Sequence, residues 1–190
     1  AFFAASDFIV LDNLFDYLSS TIVIPEGRLA LAMQAQQEAI HSEMYGALVL
    51  EYYKDDHKAR DAAFKAIEQD SYVIAKANFA KKYMQPGTGI ARRLVAFCAV
   101  EGIHFSSSFA AIRHFKHRNL LPALGTANEY IARDEQMHCQ LGGALYKKLE
   151  KPLAHSEVHE ILREAVAVEE DFVNDAIPCD AMQRKPHDMV

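Results

Sequence analysis

An all-α bundle is the fold class this sequence predicts, on three observations. Apolar residues recur at helical spacing, with no strand-like alternation of useful length. Glu-x-x-His occurs twice inside such stretches, at Glu38 to His41 and at Glu135 to His138. Two further apolar stretches each carry a lone acid, Glu101 and Asp7. Residues three apart share a helix face, so each Glu-x-x-His aims one carboxylate and one imidazole at the same point. Four helices then offer four carboxylates and two imidazoles. That is the ligand inventory of a carboxylate-bridged di-iron or di-manganese site in the core of a four-helix bundle.

The elements follow from periodicity and breakers. A first helix is expected over about 1–19, with Phe3, Asp7, Val10 and Leu14 on one face. After Pro25 and Gly27, a long helix over about 27–54 carries Met33, Gln37, Glu38, His41, Tyr45 and Leu48 along a stripe. A shorter pair, about 57–68 and 70–84, turns Phe64, Ile67, Ile74 and Phe79 inward. Gln85-Pro86-Gly87-Thr88-Gly89 reads as a loop. A long helix over about 90–118 carries Leu94, Phe97, Glu101, Phe105, Phe109 and Ile112, and Leu121-Pro122 breaks it. The next, about 123–149, carries Ala127, Ile131, Asp134, Glu135, His138 and Leu145 and ends at Lys151-Pro152. A last helix over about 155–176 has Val158, Leu162, Val166 and Phe172. No linker long enough to split domains is visible. Residues 1–178 are expected to form one domain, and 179–190, with Pro186, an irregular tail.

Composition narrows the function. A chain of 190 residues, 51% hydrophobic, is long enough to bury a sizeable core. A net charge of −6 argues against a general nucleic-acid binder. No apolar run is expected to reach the roughly 18 residues of a membrane span, which argues against a membrane partner. Cys98, Cys139 and Cys179 lack a Cys-x-x-Cys spacing and read as reduced structural thiols. A reducing compartment, the cytoplasm, is expected, and no secretory leader is visible in the sequence. The basic run Arg113 to Arg118 ends a helix, where cations complement the helix dipole.

The chemistry needs this residue set. Two divalent ions bring four positive charges. Asp7, Glu38, Glu101 and Glu135 bring four negative ones, and neutral His41 and His138 complete the coordination. Buried charges are tolerated when paired or metal-bound. An oxygen-rich site with one imidazole per metal favours iron or manganese. Each piece alone has an ordinary reading: a solvated Glu–His pair, a salt-bridged Glu, a capping Asp. The conjunction is what is specific. Tyr45 lies one turn past His41 on the same face, near a metal or as a core tyrosine. Phe105, Phe109 and Ile131 follow or precede the acids at helical spacing, as a dry wall or as core. Asp134 points about 100° away from Glu135, toward a ligand His or toward an ion pair with Arg133.

The segments FFAASDFIV, EAIHSEMY, AVEGIHFSSSFA and NEYIARDEQMHC, in that order and spacing, strongly resemble the small, radical-generating subunit of class I ribonucleotide reductase, of the eukaryotic and viral type. The resemblance runs over nearly all of residues 1–178. It implies a ferritin-like bundle, a homodimer, and two iron ions per chain, with manganese as the other candidate. It implies Asp7, Glu38 and His41 as ligands of one ion, and Glu101, Glu135 and His138 as ligands of the other. It implies that Tyr45 carries a stable radical generated with O₂, that Phe105, Phe109 and Ile131 line its pocket, and that Asp134 belongs to the radical-transfer chain. The large subunit then uses the radical to reduce ribonucleoside diphosphates to deoxyribonucleotides.

Two departures from the family pattern set further expectations. The sequence has no tryptophan, whereas the family relays the radical through a Trp upstream of the first ligand. It also shows no C-terminal relay tyrosine and docking tail. Both ends are therefore expected to be boundaries inside a longer subunit. As it stands, the chain is expected to assemble the cofactor without supporting nucleotide reduction. The competing readings are a ferritin-like di-iron oxidase, a non-catalytic paralogue that stabilises an active small subunit in a heterodimer, and iron storage. Tyr45 and the intact ligand set weigh against the first two, and the apolar wall weighs against the third.

Overall fold

A computed structural model describes residues 17–177 together with Met182, Lys185 and Met189. The described residues contain helices and turns and no strand. The chain divides into two compact units, residues 1–84 and 85–190. The expected helix over 1–19 lies mostly outside the described residues, and only the turn Ser19–Thr21 is seen, packed against the helix that follows.

In the first unit, α1 spans Pro25–Tyr52. Pro25 occupies its first turn, where a missing N–H costs nothing because that donor has no intrahelical partner. The proline expected to precede the helix therefore opens it. α2 (His57–Gln69) and α3 (Ser71–Met84) form a packed pair. Each starts on an aspartate cap. Asp56 Oδ1 accepts from the Ala59 amide at 2.8 Å, and Asp70 Oδ1 accepts from the Tyr72 and Val73 amides at 2.9 and 3.0 Å.

The buried face of α1 carries Leu31, Gln34, Ala35, Glu38, His41 and Tyr45. Met33, expected on that stripe, is exposed instead. The apolar residues of α1 fall on two faces, and the polar ligands mark the inward one. Phe79 is buried as expected, but Phe64 and Ile74 are exposed. In so short a helix pair, the inward stripe is too narrow to hold every apolar side chain. The side chain of Ile67 lies outside the described residues.

In the second unit, α4 (Ile90–Ala99), a π-helical turn (Val100–His104) and α5 (Ser106–His117) follow one another, where the sequence suggests a single α-helix. α6 (Pro122–Tyr146) packs on α4, the π turn and α5, and α7 (His155–Ala176) packs on α4 and the π turn. The run Ile90–His117 does contain an 18-residue window of mean hydropathy 1.4, long and apolar enough by that measure to cross a membrane. Over half of that window is buried within the protein, and this packing explains its apolarity.

α5 ends in a Schellman motif. Asn119, at φ 55°, donates to the Lys116 carbonyl, and Leu120 donates to that of Phe115, both at 2.9 Å. Asn is the residue other than Gly that tolerates this left-handed cap. Leu121 is also left-handed, at φ 49°, which a residue with a Cβ adopts only where its surroundings hold it. Pro122 then opens α6. At the start of α7, Glu157 Oε2 accepts from the Ala154 amide at 3.2 Å, one half of a capping box. The core of this unit is Leu94, Phe97, Phe105, Ile161, Ala165, Phe172 and Val173. In α7, Ile161, Ala165, Glu169 and Val173 hold the inward face, and Val158, Leu162 and Val166, expected there, are half-buried.

Candidate metal centre

The π turn and α6 build the centre of the second unit. Glu101 stands on the π turn, Glu135 and His138 on α6, and all three are almost wholly buried. Each offers one ligand atom, and these atoms lie within 4.8 Å of one another. His138 Nδ1 is 2.9 Å from Glu135 Oε2 and 3.7 Å from Glu101 Oε2. The short distance follows directly from the Glu-x-x-His spacing on a regular helix. Glu101 arrives from a different element, and the widened turn re-aims it. π turns inside α-helices occur frequently at functional sites.

Two carboxylates held together away from water repel one another and lose hydration, at a cost of several kcal/mol in order of magnitude. A cation among them reverses the sign of that interaction. Carboxylate oxygens with an imidazole nitrogen suit iron or manganese. The residues present therefore fit a metal ion. Three residues expected from the sequence as a dry wall or as ordinary core lie on the same elements. Phe105, Phe109 and Ile131 are buried, and the Phe105 and Phe109 rings lie 6.0 Å apart at a 46° tilt. Asn128 Nδ2 donates to the Phe109 carbonyl at 3.3 Å and ties α6 to α5 along this wall.

In the first unit, α1 repeats the same local arrangement. Glu38 and His41 are buried, with His41 Nδ1 3.6 Å from Glu38 Oε2. Tyr45, one turn further along the same helix, is buried as well. Asp134 is half-buried beside Glu135, and its neighbour Arg133 lies over the Tyr130 ring at 5.7 Å. Asp7 lies outside the described residues, as does Cys179.

Among the described residues, four buried acidic or basic side chains went unnoticed in the sequence. His104 is buried on the π turn, and Glu101-Gly102-Ile103-His104 is a third Glu-x-x-His that spacing alone could have flagged. A π turn takes more residues per revolution than an α turn, so the i,i+3 rule fails there. Among the described residues, His104 does not join the cluster of ligand atoms formed by Glu101, Glu135 and His138. Glu169 is wholly buried on α7, and its Oε1 accepts from the Ser107 amide at 3.2 Å and from the Ser107 hydroxyl. Arg93 is buried on α4 and donates from Nη2 to the Gln85 carbonyl at 3.3 Å. Lys76 is buried on α3.

Cys98 and Cys139, far apart in sequence, meet. Cys98 Sγ donates to the Cys139 carbonyl at 3.4 Å, and Cys139 Sγ donates to that of Cys98 at 3.5 Å. The neighbouring Cys139 side chain, together with burial, pushes Cys98 above the ordinary thiol range. The Cys98 side chain beside it holds Cys139 down to about 7.

The family model for the small chain of ribonucleotide reductase matches residues 1–190. The protein belongs to the ribonucleotide reductase small-chain family. It is 46% identical over 180 residues to one of the ribonucleoside-diphosphate reductase small chains of Arabidopsis thaliana, an overlap that covers 95% of this sequence and 52% of that one. It is 44% identical over 192 residues to the small chain of Yaba-like disease virus, covering 97% of this sequence and 59% of that one. The chain thus spans about half the length of these relatives. Among solved structures, the homodimer of ribonucleotide reductase Rnr4 from Saccharomyces cerevisiae superposes with a TM-score of 0.83 at 25% identity, covering 98% of this sequence and 62% of that one. The fold is the ferritin-like helical fold of this small-chain family.

Proposed function

We propose that this chain is the metal-holding part of a ribonucleoside-diphosphate reductase small subunit that carries a radical on Tyr45. The observation that carries the reading is the buried cluster of Glu101, Glu135 and His138 in a sequence that the small-chain model matches from end to end. Glu101, Glu135 and His138 hold one iron, and Asp7, Glu38 and His41 hold a second, with manganese as the alternative metal. When bound, the metal pair supplies the oxidising power that O₂ provides for one-electron oxidation of a phenol.

The chain's own residues do the rest. The carboxylates balance the metal charge in a dry interior, where an unbalanced cation would be costly. His138 turns Nδ1 toward the Glu135 and Glu101 carboxylates, the side on which it would meet the metal. Tyr45 supplies the phenol, and its burial keeps water and reductants from its oxygen. Phe105, Phe109 and Ile131 extend the dry lining. Asp134, next to a ligand yet half-buried, is the positioning residue through which the radical leaves. The large subunit receives it and reduces ribonucleoside diphosphates in the cytoplasm.

The chain pairs with a second copy. Leu29, Met33, Ile40 and Met44 are exposed on α1 at spacings that make a continuous outward stripe. An apolar stripe of this kind marks an association surface, and the similar yeast protein is described as a homodimer. Anaerobic loading of the whole chain with Fe(II), followed by desalting and elemental analysis, tests the reading. The expected result is two irons per chain, and none retained would overturn it.

A further inference from the structure

Two helices of the second unit run antiparallel past one another at a point where both are thinned. Cys98 on α4 sits over Gly142 of α6, and a Cβ on that glycine would lie 2.6 Å from Cys98 Sγ. Cys139 on α6 sits over Gly102 of the π turn, where a Cβ would lie 3.2 Å from Cys139 Sγ. Each thiol thus lies against the glycine about one turn beyond the other thiol. This reciprocal arrangement brings the two backbones close. It also explains why each sulfur reaches the other residue's carbonyl, at 3.4 and 3.5 Å.

We propose that Cys98 and Cys139 form a reversible disulfide that clasps α4 to α6 under a low-molecular-weight disulfide oxidant. Disulfides require side chains that already face one another at short range, and most cysteine pairs in a fold fail that condition. Here both thiols are half-buried, and neither is sealed in. Cys139 lines an open pocket of about 360 Å³ together with Glu101, Gly102, Glu135 and Gln140, so a small oxidant reaches its sulfur. One protein thiol gives up its proton and attacks a sulfur of the oxidant. The oxidant's S–S bond breaks, and one small thiol leaves with a proton. The second protein thiol then attacks the mixed disulfide, and the second small thiol leaves with the other proton. Two protein thiols are oxidised by two electrons, and one small disulfide is reduced to two thiols. The new bond joins the helix that carries His138 to the segment that leads into Glu101, so the clasp lies in the scaffold of the candidate metal centre.

The test uses the whole chain, reduced and desalted, then exposed to oxidised glutathione and quenched with N-ethylmaleimide. Intact mass and peptide mapping read the product, and neither measurement depends on bound metal or on a radical. Most of the protein is expected to lose two hydrogens without gaining glutathione, with one linked peptide pair containing Cys98 and Cys139. Dithiothreitol is expected to restore both thiols. In Cys98→Ser, Cys139 is expected to retain one glutathione instead of forming the link. Cys139→Ser serves as the reciprocal variant if the first does not fold. A product that carries glutathione separately on both cysteines, that leaves both free to maleimide, or that links either one to Cys179 would overturn the proposal.

Discussion

His138 Nδ1 lies 2.9 Å from Glu135 Oε2 and 3.7 Å from Glu101 Oε2, so one imidazole faces carboxylates from two different elements. A single α-helix can supply only the first of these contacts from its own spacing. The second depends on the π turn, which places Glu101 opposite α6. Removing a member of this set should act on metal uptake before it acts on folding. Glu135→Ala and His138→Ala are each expected to lower iron below two per chain, with the helical circular-dichroism signal kept. Unchanged stoichiometry would remove the residue concerned from the ligand set.

Metal should also stabilise the fold. A ligand that binds only the folded state at about a hundred times its dissociation constant adds roughly 2.7 kcal/mol. Fe(II) is therefore expected to raise Tm under anaerobic conditions, and Glu101→Gln to cancel that rise. In the metal-free protein, the same variant removes one of two facing buried carboxylates. Its Tm is expected to equal or exceed that of the unchanged protein. A fall of several degrees without metal would show that Glu101 serves packing and not the cluster.

Burial makes the Glu169–Ser107 pair a separate test of the interior. Ser107→Ala removes the hydroxyl donor from a carboxylate that is wholly buried, and leaves the 3.2 Å amide contact. An under-satisfied buried acceptor costs about 1–3 kcal/mol. Denaturant unfolding should register that loss with the m-value unchanged. A shift under a few tenths of a kcal/mol would mean that the hydroxyl contributes nothing.

Neighbouring glycines on α6 should behave oppositely. A Cβ at Gly142 meets Cys98 Sγ at 2.6 Å and the Phe97 ring at 2.9 Å, whereas one at Gly143 meets nothing within 4 Å. Gly142→Ala is expected to destabilise by about 1–3 kcal/mol through overpacking. Gly143→Ala is expected to stabilise by up to about 1 kcal/mol through helix propensity alone. Thermal melts of the two variants, compared side by side, check both signs.

Much of this was legible in the sequence because it follows from local rules. The α7 limits, the loop at 85–89 and the inward placement of Glu38, His41, Glu135 and His138 come from periodicity and breakers. The π turn was not legible, since one extra residue in a turn leaves no mark on composition. Neither was the burial of Glu169, Arg93 and Lys76, because an acid or a base on a helix reads as solvent-facing until its partner from another element is known. Cys98 and Cys139 carry no spacing signal, and their meeting depends on the antiparallel register of α4 and α6 set by Gly102 and Gly142. Phe64 and Ile74 erred the other way, because an apolar residue on a short helix implies burial only where an opposing surface exists.

The outward stripe of α1 predicts assembly. Replacing Leu29 and Met33 together with Lys is expected to shift the protein from dimer to monomer in size-exclusion chromatography with light scattering, since unpaired charges would be forced into the apolar contact. An unchanged mass would place the association surface elsewhere.

The central claim is that Tyr45 holds a radical generated at this metal centre. Low-temperature electron paramagnetic resonance, after anaerobic Fe(II) loading and exposure to O₂, tests it most directly when run on the unchanged protein and on Tyr45→Phe together. A tyrosyl doublet in the unchanged protein, lost in Tyr45→Phe at equal iron content, is the predicted result. A doublet that persists in the variant, or an unchanged protein with two irons and no radical, would contradict it.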